Sequence, residues 1–504
     1  MVCHSPSGVT GHSQIHLNSS PLKPYTTGID NSGTMTYTGF PHFSNRITKL
    51  KQVGRQTQRD IQQYTIAVIT GAASADVVIV LCALMEFQYF SQAPTITSIM
   101  HNKIKCALQE FHDHKHAIIE GGLCCGQQTN AVLKHWHIPK LKLMQSVAPS
   151  IKHDPASATN NHNYESQICW YLDHLEKCQC FDTAVLLHKF AHPVPQQTIK
   201  SGLHNNSDAE STQEDIADSL TAVLDEIWTA QQGRTNFFNV ATQLAADPNP
   251  TLSFLTFIAG LTAIHLNSSP SLCCILINHV AQISDLPDLH RVLSDYLNCK
   301  GSLMQNFHSF GGQRKCLPDV HLSFKDLHVW FQVHLQQKSY HDPSSVSSAF
   351  SVHTHPPNNK WKYGHYDAAI LNVDQEAEWP LSGLQGHAVI HVHLIMHPIS
   401  PRGTVNPFAN HFLMYAQQFN IVPQANGSVI EHTTGLHLLK RATHTSGSVL
   451  GEVFPLDQVR SYAHIVPHFD HTADNQLTTS NSIHFSQSFF LNKYFNKDFF
   501  YTIS

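Results

Sequence analysis

Residues 387–397, HAVIHVHLIMH, alternate with period two: Ala388, Ile390, Val392, Leu394 and Met396 fall on one face, and His387, His391, His393 and His397 on the other. Successive side chains of a strand point to opposite faces, so this spacing predicts a β-strand packed on its apolar face and wet on its histidine face. Short apolar runs at 368–373, 412–422, 436–442, 451–454 and 461–466 lie around it with turn residues between them. An antiparallel sheet or partial barrel is the architecture such runs predict for residues 321–504.

Upstream the period changes to that of a helix. Ile61, Tyr64, Val68 and Ile69 keep one face, and Ile104, Leu108, Phe111 and Ile118 keep another until Gly121-Gly122 stop it. A third amphipathic stretch covers 164–190. Ser211-x-x-Glu214 is a capping box ahead of Ile216, Leu220, Val223, Leu224 and Ile227. The helical reading continues through 252–264 and 273–297. The expected organisation is a disordered tail at 1–37, a helical region at 38–192, a polar linker at 193–214, a helical segment at 215–320 and an α+β domain at 321–504. The fold class is α+β, with a mainly helical N-terminal half.

Composition narrows the function. The 504 residues carry only 13% charged side chains, yet 27 Phe, 14 Tyr and 6 Trp oppose a disordered chain. A net charge of -5 disfavours a strongly basic nucleic-acid binder. Twelve Cys without a CxxC do not make a secreted disulfide framework, which points to a reducing compartment, nucleus or cytoplasm. The first twenty residues have no basic and apolar leader pattern, so no secretory route is expected. The most apolar window, 66–85, contains Gly71, Ser74 and Asp76 and reads as two buried helix segments rather than a membrane span.

No GxSxG, P-loop or GxGxxG occurs. The candidate metal ligands are His112 and His116, spaced i,i+4 on a helix that also carries His114. The competing reading is a solvated helix face. His391 and His393 have ligand spacing on a strand, His353-x-His355 sits in a Pro-rich loop, and Cys178-x-Cys180 lies near His174 and His188. A wet face or core filling is the simpler account of each.

Several segments resemble Plavaka-type transposases, of the CACTA-like and Kyakuja-Dileera-Zisupton group of mushroom-forming fungi. They are 39–64 (GFPHFSNRITKLKQVGRQTQRDIQQY), 83–94 (ALMEFQYFSQAP), 107–119 (ALQEFHDHKHAII), 137–147 (HIPKLKLMQSV) and 172–178 (LDHLEKC). Segments 327–343 (LHVWFQVHLQQKSYHDP), 363–372 (YGHYDAAILN), 382–399, 437–447 and 489–500 resemble the domain of unknown function that follows in those proteins.

The resemblance implies strand transfer by three carboxylates around two Mg²⁺ ions, which stabilise the attacking and leaving oxygens of an in-line displacement. It also implies that this chain lacks the pieces that supply them. The zinc-finger region with the first acids precedes the matched part in relatives. The insert with a Thr-Glu-x-x-His motif is replaced here by 152–159, KHDPASAT. Asp60, Glu86, Glu110 and Asp113 remain in the helical half, where surface or capping roles compete with catalytic ones. The expectation is a transposon-derived, catalytically inactive protein without a cofactor, retaining weak DNA or protein association and no membrane partner. Nine Arg beside 39 His weaken phosphate contact, because neutral His brings no cation. Lys49, Lys51, Arg55, Arg59, Lys134, Lys140 and Lys142 are the candidate DNA contacts, against a solvated basic face. The alternatives are a Mg²⁺-dependent DDE-type transposase and a His-rich metal-binding protein.

Overall fold

The computed structural model describes residues 2–4, 12–14, 55–71, 73–121, 144, 235–246, 255–303, 322–374, 376–400, 411–469 and 481–504. The chain divides into two compact units. The first comprises Met1–Ala93, Ile99–Ile151 and Asn236–Ser504; the second comprises Pro94–Ser98 and Lys152–Thr235, of which only 94–98 and 235 are described. All that follows concerns the first unit. Of the expected tail at 1–37, the described part is a short antiparallel pair, β1 (Val2–His4) with β2 (His12–Gln14).

Helices dominate the N-terminal part: α1 (Arg55–Ile69), α2 (Ala75–Ser91), α3 (Ser98–His114) and α4 (His116–Glu120). The apolar window 66–85 is indeed two helix segments, the end of α1 and the start of α2, separated by Gly71 at φ +79°. A helix apolar on every side must be enclosed on every side. Accordingly α2 buries Val77, Val78, Ile79, Val80, Cys82, Ala83, Met85, Phe87, Tyr89 and Phe90. Part of that cover is the C-terminal helix, since Phe500 packs on Tyr89 and Phe90 with ring centroids 4.8 and 4.9 Å away. No helix among the described residues is long and apolar enough to cross a membrane.

Between 235 and 303 the sequence expectation fails in part. A helix, α5 (Phe237–Ala246), is followed by a hairpin of β3 (Thr256–Ala259) and β4 (Thr262–Leu266), where the reading of 252–264 predicted a helix. The β-branched residues Thr256, Ile258, Thr262 and Ile264 suit a pleated surface better than a helix. Gly260, at φ +63°, supplies the left-handed turn position between the strands. Next, β5 (Leu272–Leu276) occupies the start of the expected 273–297 helix, which begins only as α6 (Ile277–Ile283) and α7 (Leu289–Leu303).

The C-terminal half is built on two antiparallel sheets, and neither closes into a barrel. The smaller holds β3, β4, β7 (Gln332–Gln337), β8 (Phe350–His355) and β9 (His365–Tyr366), in that order. The larger runs β15 (Val459–Ala463), β10 (Ala368–Asn372), β11 (His387–Ile399), β12 (Leu413–Ile421), β13 (His437–Arg441), β17 (Ser488–Leu491) and β16 (Ile465–Pro467). Beside it, β14 (Gly451–Pro455) pairs with β12, and β6 (Asp326–Trp330) pairs with β11 and β5. Two short helices complete the chain, α8 (Ser482–Phe485) and α9 (Lys497–Ile503). The Asn496 side chain caps α9 by accepting from Phe499 N at 3.1 Å.

The strand that decides the fold is β11, and it departs from its predicted pattern in two ways. Its register against β12 shifts between Val392 and Leu394, a bulge at His393. One extra residue exchanges the faces, so Ile390, Val392 and Ile395 join one apolar cluster while Leu394 and Met396 join another with α6 and α7. The histidine face is also not wet: His387, His391 and His393 are buried. The alternation predicts one dry and one solvated face, but both faces of this central strand are covered.

Candidate functional site

One connection organises the site. Between β8 and β9 runs the loop PPNNKWKYG, 356–364. The Asn358 side-chain oxygen accepts from Lys360 N at 2.8 Å and Trp361 N at 3.0 Å, an Asx turn that fixes the basic-aromatic run Lys360, Trp361, Lys362, Tyr363. Gly364 closes the loop at φ +79°, where a Cβ would stand 2.3 Å from the Tyr366 ring. Glycine is required twice over, by backbone conformation and by space.

This loop borders a cleft of about 720 Å³ whose lining includes Lys360, Trp361, Lys362, Tyr363, His365, Tyr366, His391, His393, Gln417, Arg441 and His484. Three fixed cations, Lys360, Lys362 and Arg441, face one lining carboxylate, Asp285. The Arg441 guanidinium is buried over the rings of Phe419 and Phe489, 5.7 and 5.1 Å from their centroids. It donates to Gln417 Oε1 at 3.0 Å, to Ser486 O at 3.3 Å and to Ile483 O. Tyr363 stacks on His484 of α8 at 5.0 Å.

The cleft floor is a chain of neutral imidazoles. His391 Nε2 lies 3.1 Å from the Tyr366 carbonyl and therefore carries the proton; His391 Nδ1 then accepts from His393 Nε2 at 3.0 Å. The Tyr366 ring stacks on His393 at 4.1 Å. Burial, reinforced by Arg441, pushes His391 down to about 3, and burial with His391 alongside holds His393 well below the usual imidazole range.

Against the cleft wall stands a second constellation. The prolines at 356 and 357 predict a loop around His353 and His355, but the strand β8 runs through both, and the prolines only end it. Period two puts His353 and His355 on one face, and β9 brings His365 across, its ring 5.0 Å from that of His353 and near parallel. Asp367 then follows His365 at the same spacing. Its Oδ2 accepts from His353 N at 2.9 Å and from His353 Nδ1 at 2.8 Å, while its Oδ1 lies 3.9 Å from His365 Nε2. One ligand atom from each of His353, His365 and Asp367 falls within 4.8 Å of the others, and all three residues are buried. Burial, partly offset by Asp367, lowers the His365 pKa. The sequence signal was present as His-x-His followed by His-x-Asp across a glycine turn.

The other predicted site residues fall elsewhere. His112 ends on α3 and accepts from Lys115 Nζ at 3.1 Å; His116 begins α4 and is exposed, so a helix break separates the pair. Among the described residues neither belongs to a group of three ligands. Arg55 and Arg59 lie in α1, with side chains outside the description. Lys49, Lys51, Lys134, Lys140, Lys142 and the Cys178–Cys180 pair lie outside the described residues. Of the helical-half acids, Glu86 is ion-paired to Lys493 at 2.7 Å.

Residues 238–439 match the sequence model of a family described as Domain of unknown function (DUF6830). No curated protein and no solved structure matches the chain.

Proposed function

We propose that the protein is a transposon-derived, non-catalytic binding protein whose C-terminal half engages single-stranded nucleic acid through the basic-aromatic mouth of the cleft. The carrying observation is the Asx-turned run Lys360, Trp361, Lys362, Tyr363 above the buried Arg441. Cations that track phosphates, interleaved with rings on which bases stack, are what sequence-tolerant binding of a single strand requires. A duplex keeps its bases stacked on each other and so offers the two aromatic faces nothing.

Two further points support this reading. The segments resembling Plavaka-type transposases run through both halves of the chain, and the matched domain of unknown function contains the whole loop. The proposed lack of strand transfer is supported by the short 152–159 segment standing where the transposases it resembles carry an acid-bearing insert. A nuclear setting for this association is supported only by the same resemblance.

Fluorescence anisotropy of a labelled single strand, titrated at increasing salt, tests the proposal. Three cations at about 0.7 counterions each give a log–log salt slope of about -2, and the matching duplex binds more weakly. Replacing Lys360 and Lys362 with alanine reduces that slope by about 1.4 in magnitude. No binding at low salt, or a slope untouched by the double variant, overturns it.

A further inference from the structure

We propose that His353, His365 and Asp367 form a binding site for a divalent transition-metal ion, with zinc the best match to two imidazoles and one carboxylate. His353 and His365 come from the paired strands β8 and β9, and Asp367, the single residue between β9 and β10, is held by its N–H on His353 O at 3.0 Å and by Val392 N–H on its carbonyl at 2.9 Å, which fixes their relative positions. Their ligand atoms already lie within 4.8 Å of one another, and His365 Nε2 is 3.9 Å from Asp367 Oδ1. Tetrahedral zinc holds such atoms about 3.3 Å apart, so ring and carboxylate rotations of about 1 Å complete the site.

The independent observation is Asp367 Oδ1. Asp367 is 2% exposed, and this oxygen is buried with no hydrogen-bond partner among the described residues. Leaving a carboxylate oxygen dry and unsatisfied is costly, and a cation is the ligand that removes the cost. The other oxygen accepts from the His353 backbone N–H at 2.9 Å, and its 2.8 Å contact with His353 Nδ1 gives way when that nitrogen binds the ion. The backbone bond holds the carboxylate plane, as outer hydrogen bonds do for metal-ligating groups. Three protein ligands leave a tetrahedral ion one position for an exogenous oxygen, and His365 is also part of the cleft wall.

The inference does not rest on the nucleic-acid reading, because metal uptake is measured with no oligonucleotide present. The full-length protein, stripped with chelator, is titrated with Zn²⁺ by calorimetry and with Co²⁺ by visible absorption. One site per chain, tighter than the weak uptake of the other histidines, is expected. His365→Gln weakens it by more than about tenfold with the circular dichroism spectrum unchanged, whereas the double variant His112→Gln, His116→Gln leaves it intact. Asp367→Asn serves as a second variant if it folds; His365→Gln decides the matter if it does not. Full-strength binding in folded His365→Gln protein, or no site in the wild type above the weak background, overturns the proposal.

Discussion

Lys493 Nζ donates to Glu86 Oε1 at 2.7 Å, joining side chains 407 positions apart in the chain. Lys493 is buried, Glu86 is a quarter exposed, and the pair ties α2 to the segment before α9. Removing one partner leaves the other charge in a poor solvent. Glu86→Gln is expected to destabilise the fold by about 2–4 kcal/mol, the lower end reflecting the exposure of Glu86. The double variant Glu86→Leu, Lys493→Met is expected to fall within about 1 kcal/mol of the wild type, since it leaves no unpaired charge. Urea unfolding midpoints of the three proteins give the comparison.

Gly364 and Gly427 offer a matched pair of left-handed glycines. Gly427, at φ +78°, has open space where a Cβ would stand; Gly364 has the Tyr366 ring. Gly427→Ala should lose about 1–2 kcal/mol from backbone strain alone. Gly364→Ala should lose more, because Tyr366 is stacked on His393 and cannot step aside freely. It should also weaken oligonucleotide binding, which Gly427→Ala should not.

Acid should destabilise the protein through its buried imidazoles. Burial pushes His464 down to about 3, and burial together with Lys493 pushes His437 down to about 4. Below the ordinary value of 6.5 the unfolded chain takes protons that these folded sites refuse. The stability they contribute is therefore complete above 6.5 and falls as pH drops toward 3 or 4, by about 1.4 kcal/mol per pH unit for each group. Urea midpoints measured between pH 7 and 5 should fall, and His464→Asn should reduce the steepness by one group's share. An unchanged pH slope in that variant would show that His464 is not buried as described.

Cys82 should be inert in the native state. Burial first, then the neighbouring Glu86, push its thiol up to about 12, and its S–H donates to Thr434 O at 3.0 Å. Cys106, Cys273 and Cys274 are exposed. Brief iodoacetamide treatment followed by peptide mass spectrometry should modify those three and spare Cys82 until denaturant is added.

The parts of this fold that were legible in sequence are those with long, regular periods. The helical character of α1 and α3 and the strand character of β11 follow from the spacing of their apolar residues. What escaped was local and short. The β3–β4 hairpin has strands of only four and five residues, too few to separate period two from a helical turn, and Gly260 with the β-branched residues around it is its marker. The bulge at His393 leaves no trace in the alternation. Polarity predicts a solvated histidine face, yet in a central strand neutral imidazoles bond to each other and to a carbonyl, as His393, His391 and Tyr366 do. His353 was missed because two prolines after His355 drew the loop boundary too early. Cross-strand neighbours such as His365 are not adjacent in sequence at all.

Ultraviolet cross-linking of the full-length protein to a single-stranded oligonucleotide, with the linked peptide identified by mass spectrometry, tests the central claim most directly. Cross-links on the peptide bearing Trp361 and Tyr363, abolished by the Lys360→Ala, Lys362→Ala protein, are the predicted result. Cross-links confined to other peptides, with that peptide unmodified, would contradict the cleft as the site of binding.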